Sequence, residues 1–184
     1  MKRFGLIDFL LGRRHKATKS PGGIFERTAE QTRTMWRQRW LGALRYFADE
    51  NTQRRWLDRE DNPYYSYVEC MAGYFDDTFF PGNEIERWLP YGYMTDAEYQ
   101  LMLPFHRLAE RYCPPNNDAR DCDSILADDR WREVVVAARK AQEALAQMIS
   151  DPNELIALKM APDWVELEGG GFRSDGGAFI IPAS

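Results

Sequence analysis

The side chains best placed to do chemistry in this chain are carboxylates. Glu69 and Asp76 stand seven residues apart, which sets them on one face of a helix, with Asp77 alongside and Glu84 and Glu86 close by in sequence. Carboxylates that converge in an aromatic pocket can act as acid and base or hold a divalent ion. A carboxylate-dependent hydrolase, with or without a metal, is therefore one reading. The plainer reading is that Asp76-Asp77-Thr78 closes a helix, its side chains bonded to nearby backbone. Acids at that end oppose the helix dipole, so compensation is expected, for which Arg87 or a capped backbone would suffice. Structural networks also gather acids of this kind, and the plainer reading is preferred.

The other chemical residues point nowhere in particular. His15 and His106 are far apart, and neither belongs to an HExxH pair. Cys70, Cys113 and Cys122 are odd in number and lack CxxC spacing, which fits a reducing cytoplasm. No GxSxG is present, and the glycines from Gly169 to Gly177 lack the GK[ST] ending of a phosphate loop. The expectation is a protein without metal, cofactor or catalytic residues.

The elements that must position these acids are helical. Residues 62–78, NPYYSYVECMAGYFDDT, are the densest aromatic run. Asn62 is the expected cap and Pro63 the first helical residue. Tyr64, Val68, Met71 and Phe75 form one stripe, and Tyr67, Cys70 and Tyr74 a second beside it. The rest of the chain is expected to pack around this segment. A helix is also expected from about Thr28 to Glu50, with Trp36, Trp40, Ala43, Leu44 and Phe47 as its core face, followed by a short segment anchored by Trp56 and Leu57. Asn83 should cap a single turn ended by Pro90, before a loop carrying Tyr91 and Tyr93. Thr95 and Glu98 read as a capping box opening a helix that Pro104 should kink or divide. Asp128 should cap a long helix with Trp131, Val134, Val135, Ala138, Leu145 and Met148 buried, and Asp151-Pro152 should open another.

The two ends differ from this core. Residues 1–20 are basic around Phe4, Ile7, Leu10 and Leu11. They read as a loose cytosolic start, with weak membrane-surface contact or adaptor docking as the alternative. Trp164 to Leu167 and Ala178 to Ile181 should pair as a small hairpin across a tight turn at Ser174-Asp175-Gly176-Gly177. The expected architecture is mainly α: a basic segment 1–20, a compact multi-helix bundle over 24–160, and a Gly-rich β-hairpin tail over 161–184.

Charge separates along the chain. Residues 1–60 hold 14 Lys and Arg against 7 Asp and Glu, while the remainder holds 10 against 22, for a net charge of -5. The acidic remainder argues against nucleic acid and suits a basic partner. No apolar run is long enough to span a membrane, so a cytoplasmic location is expected.

Phe75-Asp76-Asp77-Thr78, the aromatic residues before it, Trp56-Leu57, and the later Trp131-Arg132-Glu133-Val134-Val135 together resemble a family of small, uncharacterised, helical bacterial proteins. Over residues 36 to 150 the resemblance follows a Phe-Asp-Asp-Thr step, a capped helix and a Trp-x-x-Val-Val helix. Such proteins are often encoded among interbacterial toxin systems. The resemblance implies an immunity protein, one that neutralises a toxin by occluding a basic surface or active site. Aromatic anchors ringed by acids would do this, and the partner-binding candidates are Tyr64, Tyr65, Tyr67, Tyr74, Asp76, Asp77, Tyr91 and Tyr93.

Overall fold

The computed structural model describes residues 27–57, 66–78 and 85–160, and the backbone alone of 164–166, 171–174 and 180–182. Residues 1–20, the expected cap at Asn62, and Tyr64 and Tyr65 lie outside the described residues.

The chain is mainly helical: α1 (Ala29–Ala48), α2 (Glu50–Arg54), α3 (Tyr67–Phe75), α4 (Asp96–Arg111), α5 (Cys122–Ala127), α6 (Asp129–Met148) and α7 (Pro152–Lys159). Most starts obey local cap chemistry. Thr28 and Gln31 form a capping box at α1, as Thr95 and Glu98 do at α4. Asp121, Asp128 and Asp151 accept from backbone N–H groups at the starts of α5, α6 and α7. Ser66 caps α3 by accepting from the Glu69 N–H.

The hub is α1 rather than α3. It packs against α3, α6 and α7, and α4 lies along α6. The reason is visible in its buried face: Trp40, Leu41, Leu44 and Phe47 are sealed from solvent. Phe47 meets Tyr74, Phe105 and Trp131 with ring centroids 5.5, 5.0 and 5.7 Å away. Trp131 continues the cluster to Trp56, Tyr67 and Tyr112 at 5.7, 5.4 and 5.0 Å. Edge-on and tilted pairs of this kind add roughly 0.5–1.5 kcal/mol each beyond the area they bury.

Several expectations need correction. On α3 the stripe that turns inward is Tyr67, Cys70 and Tyr74, whereas Val68 is exposed and Met71 and Phe75 are only partly covered. Phe47 on α1, Phe105 on α4 and Trp131 on α6 meet the Tyr74 and Tyr67 rings of that stripe. Pro104 does not divide α4, which runs unbroken through it. Pro104 and Gln100, the residue whose carbonyl it leaves unbonded, both face solvent, so water can supply the missing donor. Trp36 is half-buried rather than core, and Leu57 and Met148 are exposed. The turn expected from Asn83 is a 3-10 helix, Ile85–Tyr91, that contains Pro90.

The C-terminal stretch is not the two-stranded hairpin expected. Three short strands, β1 (Trp164–Glu166), β2 (Gly171–Ser174) and β3 (Ile180–Pro182), pair antiparallel in chain order, with Val165 opposite Arg173 and Phe172 opposite Ile181. Gly171 to Ser174, of which Ser174 was expected to open the turn, form the middle strand.

Candidate functional site

One corner of the bundle sets the exposed Tyr91 and the partly buried Trp36 and Tyr93 around the buried Trp88. It is assembled by α1, which carries Trp36, and by the 3-10 helix Ile85–Tyr91 with the residues just after it. Trp36 meets Trp88 edge-on at 5.3 Å and Tyr93 at 6.4 Å, and Trp88 meets Tyr93 at 5.0 Å. Tyr91 stacks on Tyr93, centroids 5.6 Å apart and planes 18° from parallel. Tyr91 is 67% exposed, more than any other aromatic side chain described. Gly92 between them has φ +67, a conformation that favours glycine, and its N–H returns to the Leu89 carbonyl.

The corner is fixed from below. The Tyr93 carbonyl accepts from the Trp40 indole N–H at 2.9 Å and from Arg37 Nη1 at 3.3 Å. Arg37 is itself the centre of a buried ionic cluster. Its Nε and Nη2 donate to Glu154 at 2.6 and 2.8 Å, and its Nη1 and Nη2 donate to Glu98 at 2.9 and 2.6 Å. Only a guanidinium offers this planar fork to two carboxylates and a carbonyl at once. Hydrogen bonds to Glu98 and Glu154 hold its pKa well above the ordinary arginine value despite burial. Burial pushes Glu98 upward, but the bonds from Arg37 and the Thr95 N–H, with Arg37's charge, outweigh this and leave it below 4.5.

That shift sets an acid limit on stability. Below pH 4.5 the unfolded chain takes up the Glu98 proton before the folded one does, so the contribution present above that pH is lost as pH falls through the folded value. Urea midpoints measured from neutral to acid pH should therefore fall on the acid side for the native chain. Glu98→Gln should start lower at neutral pH and fall less. Parallel curves would show that Glu98 carries none of the acid sensitivity.

The acids flank the corner. Asp77 pairs with Arg39 at 3.8 Å, and the Arg39 guanidinium lies over the Trp36 ring at 5.5 Å. Arg39 thus stands opposite the acidic end of α3. The helix closes through the Asp76 and Asp77 N–H groups, both donating to the Ala72 carbonyl, and through the Thr78 hydroxyl, which donates to the Tyr74 carbonyl. Glu86 accepts from the Tyr99 hydroxyl at 2.6 Å, which lowers its pKa.

Of the residues singled out in sequence, the fold links Asp77, Tyr91 and Tyr93 into this surface, with Asp76 exposed beside Asp77. It removes two from any docking role. Tyr67 is core, its pKa pushed up to about 12 by burial. Tyr74 is fully enclosed, its hydroxyl 3.1 Å from His106 Nδ1, and burial raises its pKa well above the usual tyrosine value. Sequence reasoning missed Trp36, Trp88 and Arg39 as parts of the corner. Trp36 sits four residues before Trp40 and reads as core. The signal against that was the run of Arg33, Arg37 and Arg39 around it.

Glu69, Asp76 and Asp77 are all exposed, and none lines the groove of about 740 Å³ that runs between α4 and α6. These three acids thus sit on the exposed surface, away from that groove. Among the described residues no group of three or more His, Cys, Asp or Glu is arranged to hold a metal, and no helix is long and apolar enough to cross a membrane.

Fold and site together define a mainly helical protein with an aromatic surface corner braced by a buried ionic cluster. No family model, no curated protein and no solved structure matches the chain.

Proposed function

We propose that this chain is a protein-binding module that docks through the corner of Trp36, Tyr91 and Tyr93, most concretely an immunity protein covering a basic surface of a bacterial toxin. The observation that carries the reading is Tyr91: a large aromatic side chain 67% exposed, stacked on a neighbour and presented by a braced turn. Trp, Tyr and Arg are the residue types that dominate binding energy at protein interfaces, and all three meet here. The partner that fits has an apolar slot for the Tyr91 ring and a basic rim for Asp76, Asp77 and Glu86. The toxin assignment rests on the resemblance carried by Phe75-Asp76-Asp77-Thr78 and Trp131 to Val135.

The test is co-expression with the product of the neighbouring gene, which this reading requires to be a toxin. The native chain should protect the cell and bind the toxin. Tyr91→Ala should weaken binding by about 2 kcal/mol, roughly thirtyfold in Kd, with thermal unfolding unchanged. A neighbouring product that is not toxic, or Tyr91→Ala binding like the native chain, would rule the assignment out.

A further inference from the structure

The groove between α4 and α6 shares no residue with the aromatic corner. Its walls and floor are Leu101, Pro104 and Leu108 on α4 and Val136, Ala137 and Ala141 on α6. Leu108 and Val136 remain 37% and 43% exposed. On α6 the charged rim is ordered by sign. Asp129 and Glu133 stand toward the helix start and Lys140 further on, with Arg132 paired to Asp129. Asp129, Glu133, Val136 and Lys140 follow one another at spacings of four, three and four, so they share one face.

We infer that this face is a self-association surface, occupied by a second copy of the same chain related by a two-fold axis. Glu133 and Lys140 lie equally far on either side of the point between Val136 and Ala137. An antiparallel α6–α6 contact centred on that point sets Glu133 of each copy against Lys140 of the other, twice over. It also places the two Val136 side chains at the axis, each facing the groove of the other copy. A two-fold contact is self-complementary by construction, and this pattern of opposite charges about an apolar centre is what it requires. A parallel contact would set like charges together. Two helices side by side give a footprint of ~20 Å by ~24 Å per chain, or on the order of 1,000 Å² buried in total, the lower end of specific interfaces.

Sedimentation of the full chain up to about 100 µM should show a dimer, since interfaces of this size support micromolar association. Val136→Asp, an exposed position, should leave a folded monomer. Glu133→Lys and Lys140→Glu should each raise the dimer Kd by about tenfold or more, because each sets like charges opposite one another at both symmetric contacts. The double swap should restore association to near the native value, which a mere loss of folding would not permit. A monomer throughout would overturn the inference and leave the groove to a helix of another protein. A dimer indifferent to Val136→Asp, or a double swap that stays monomeric, would overturn it as well.

Discussion

Arg37→Ala is expected to destabilise the protein by about 3–5 kcal/mol, because it strands two carboxylates in the interior without their cation. Glu98 and Glu154 side chains are 5% and 10% exposed, and both are within 2.9 Å of the guanidinium that neutralises them. The Tyr93 carbonyl would also lose one of its two donors. Urea denaturation should show a large drop in midpoint with little change in slope. Lysine at the same position should recover only part, since a point charge cannot bond two carboxylates in one plane. Neutralising all three members, with Met at 37 and Gln at 98 and 154, should cost far less than the single change, because no unpaired charge remains buried. If Arg37→Ala proves as mild as a surface substitution, the cluster is not as enclosed as its geometry implies.

Trp131→Ala should cost a comparable amount, about 3–5 kcal/mol, through a different cause. The Trp131 ring touches Phe47, Trp56, Tyr67 and Tyr112, and its removal opens a cavity between α1, α3 and α6. Its indole N–H also donates to Gln53 Oε1 at 3.1 Å. Gln53 in turn donates to the Tyr46 and Phe47 carbonyls, covering acceptors that the end of α1 leaves open. Trp131→Phe separates the two contributions. It keeps much of the ring volume but leaves Gln53 Oε1 buried without that donor, at a cost of about 1–3 kcal/mol. Equal losses for Phe and Ala would mean that packing around the ring contributes little.

Much of the helical layout was legible because its signals are local. A cap and the residue three positions on, as at Thr95 and Glu98, announce a start within four residues of sequence. Asp128 and Asp151 do the same, and the period of Trp131, Val134, Val135 and Ala138 is unmistakable. What stayed hidden depends on distant partners. Arg37 reaches Glu98 and Glu154 across 61 and 117 residues, so no window of sequence contains the cluster. Both stripes of α3 carry large apolar side chains, and the one that turns inward is met by rings on distant elements, Phe47, Phe105 and Trp131 among them. Trp36 and Trp40 share a period, yet one lies at the end of the buried face where the bundle stops. The candidate site was legible in part for a related reason: Tyr91 and Tyr93 sit in a turn, where exposure can be guessed, whereas Tyr67 and Tyr74 sit on a helix, where it cannot.

The double tether on the Tyr93 carbonyl has one more consequence. With Trp40 and Arg37 both gripping that oxygen, the turn bearing Tyr91 is anchored to the hub helix before anything lands on it. A docking chain would meet a stiff anvil and not a loop that has to be frozen first, so little conformational freedom would be surrendered on contact. Changes at this corner should then be felt in how long a complex lasts more than in how quickly it forms.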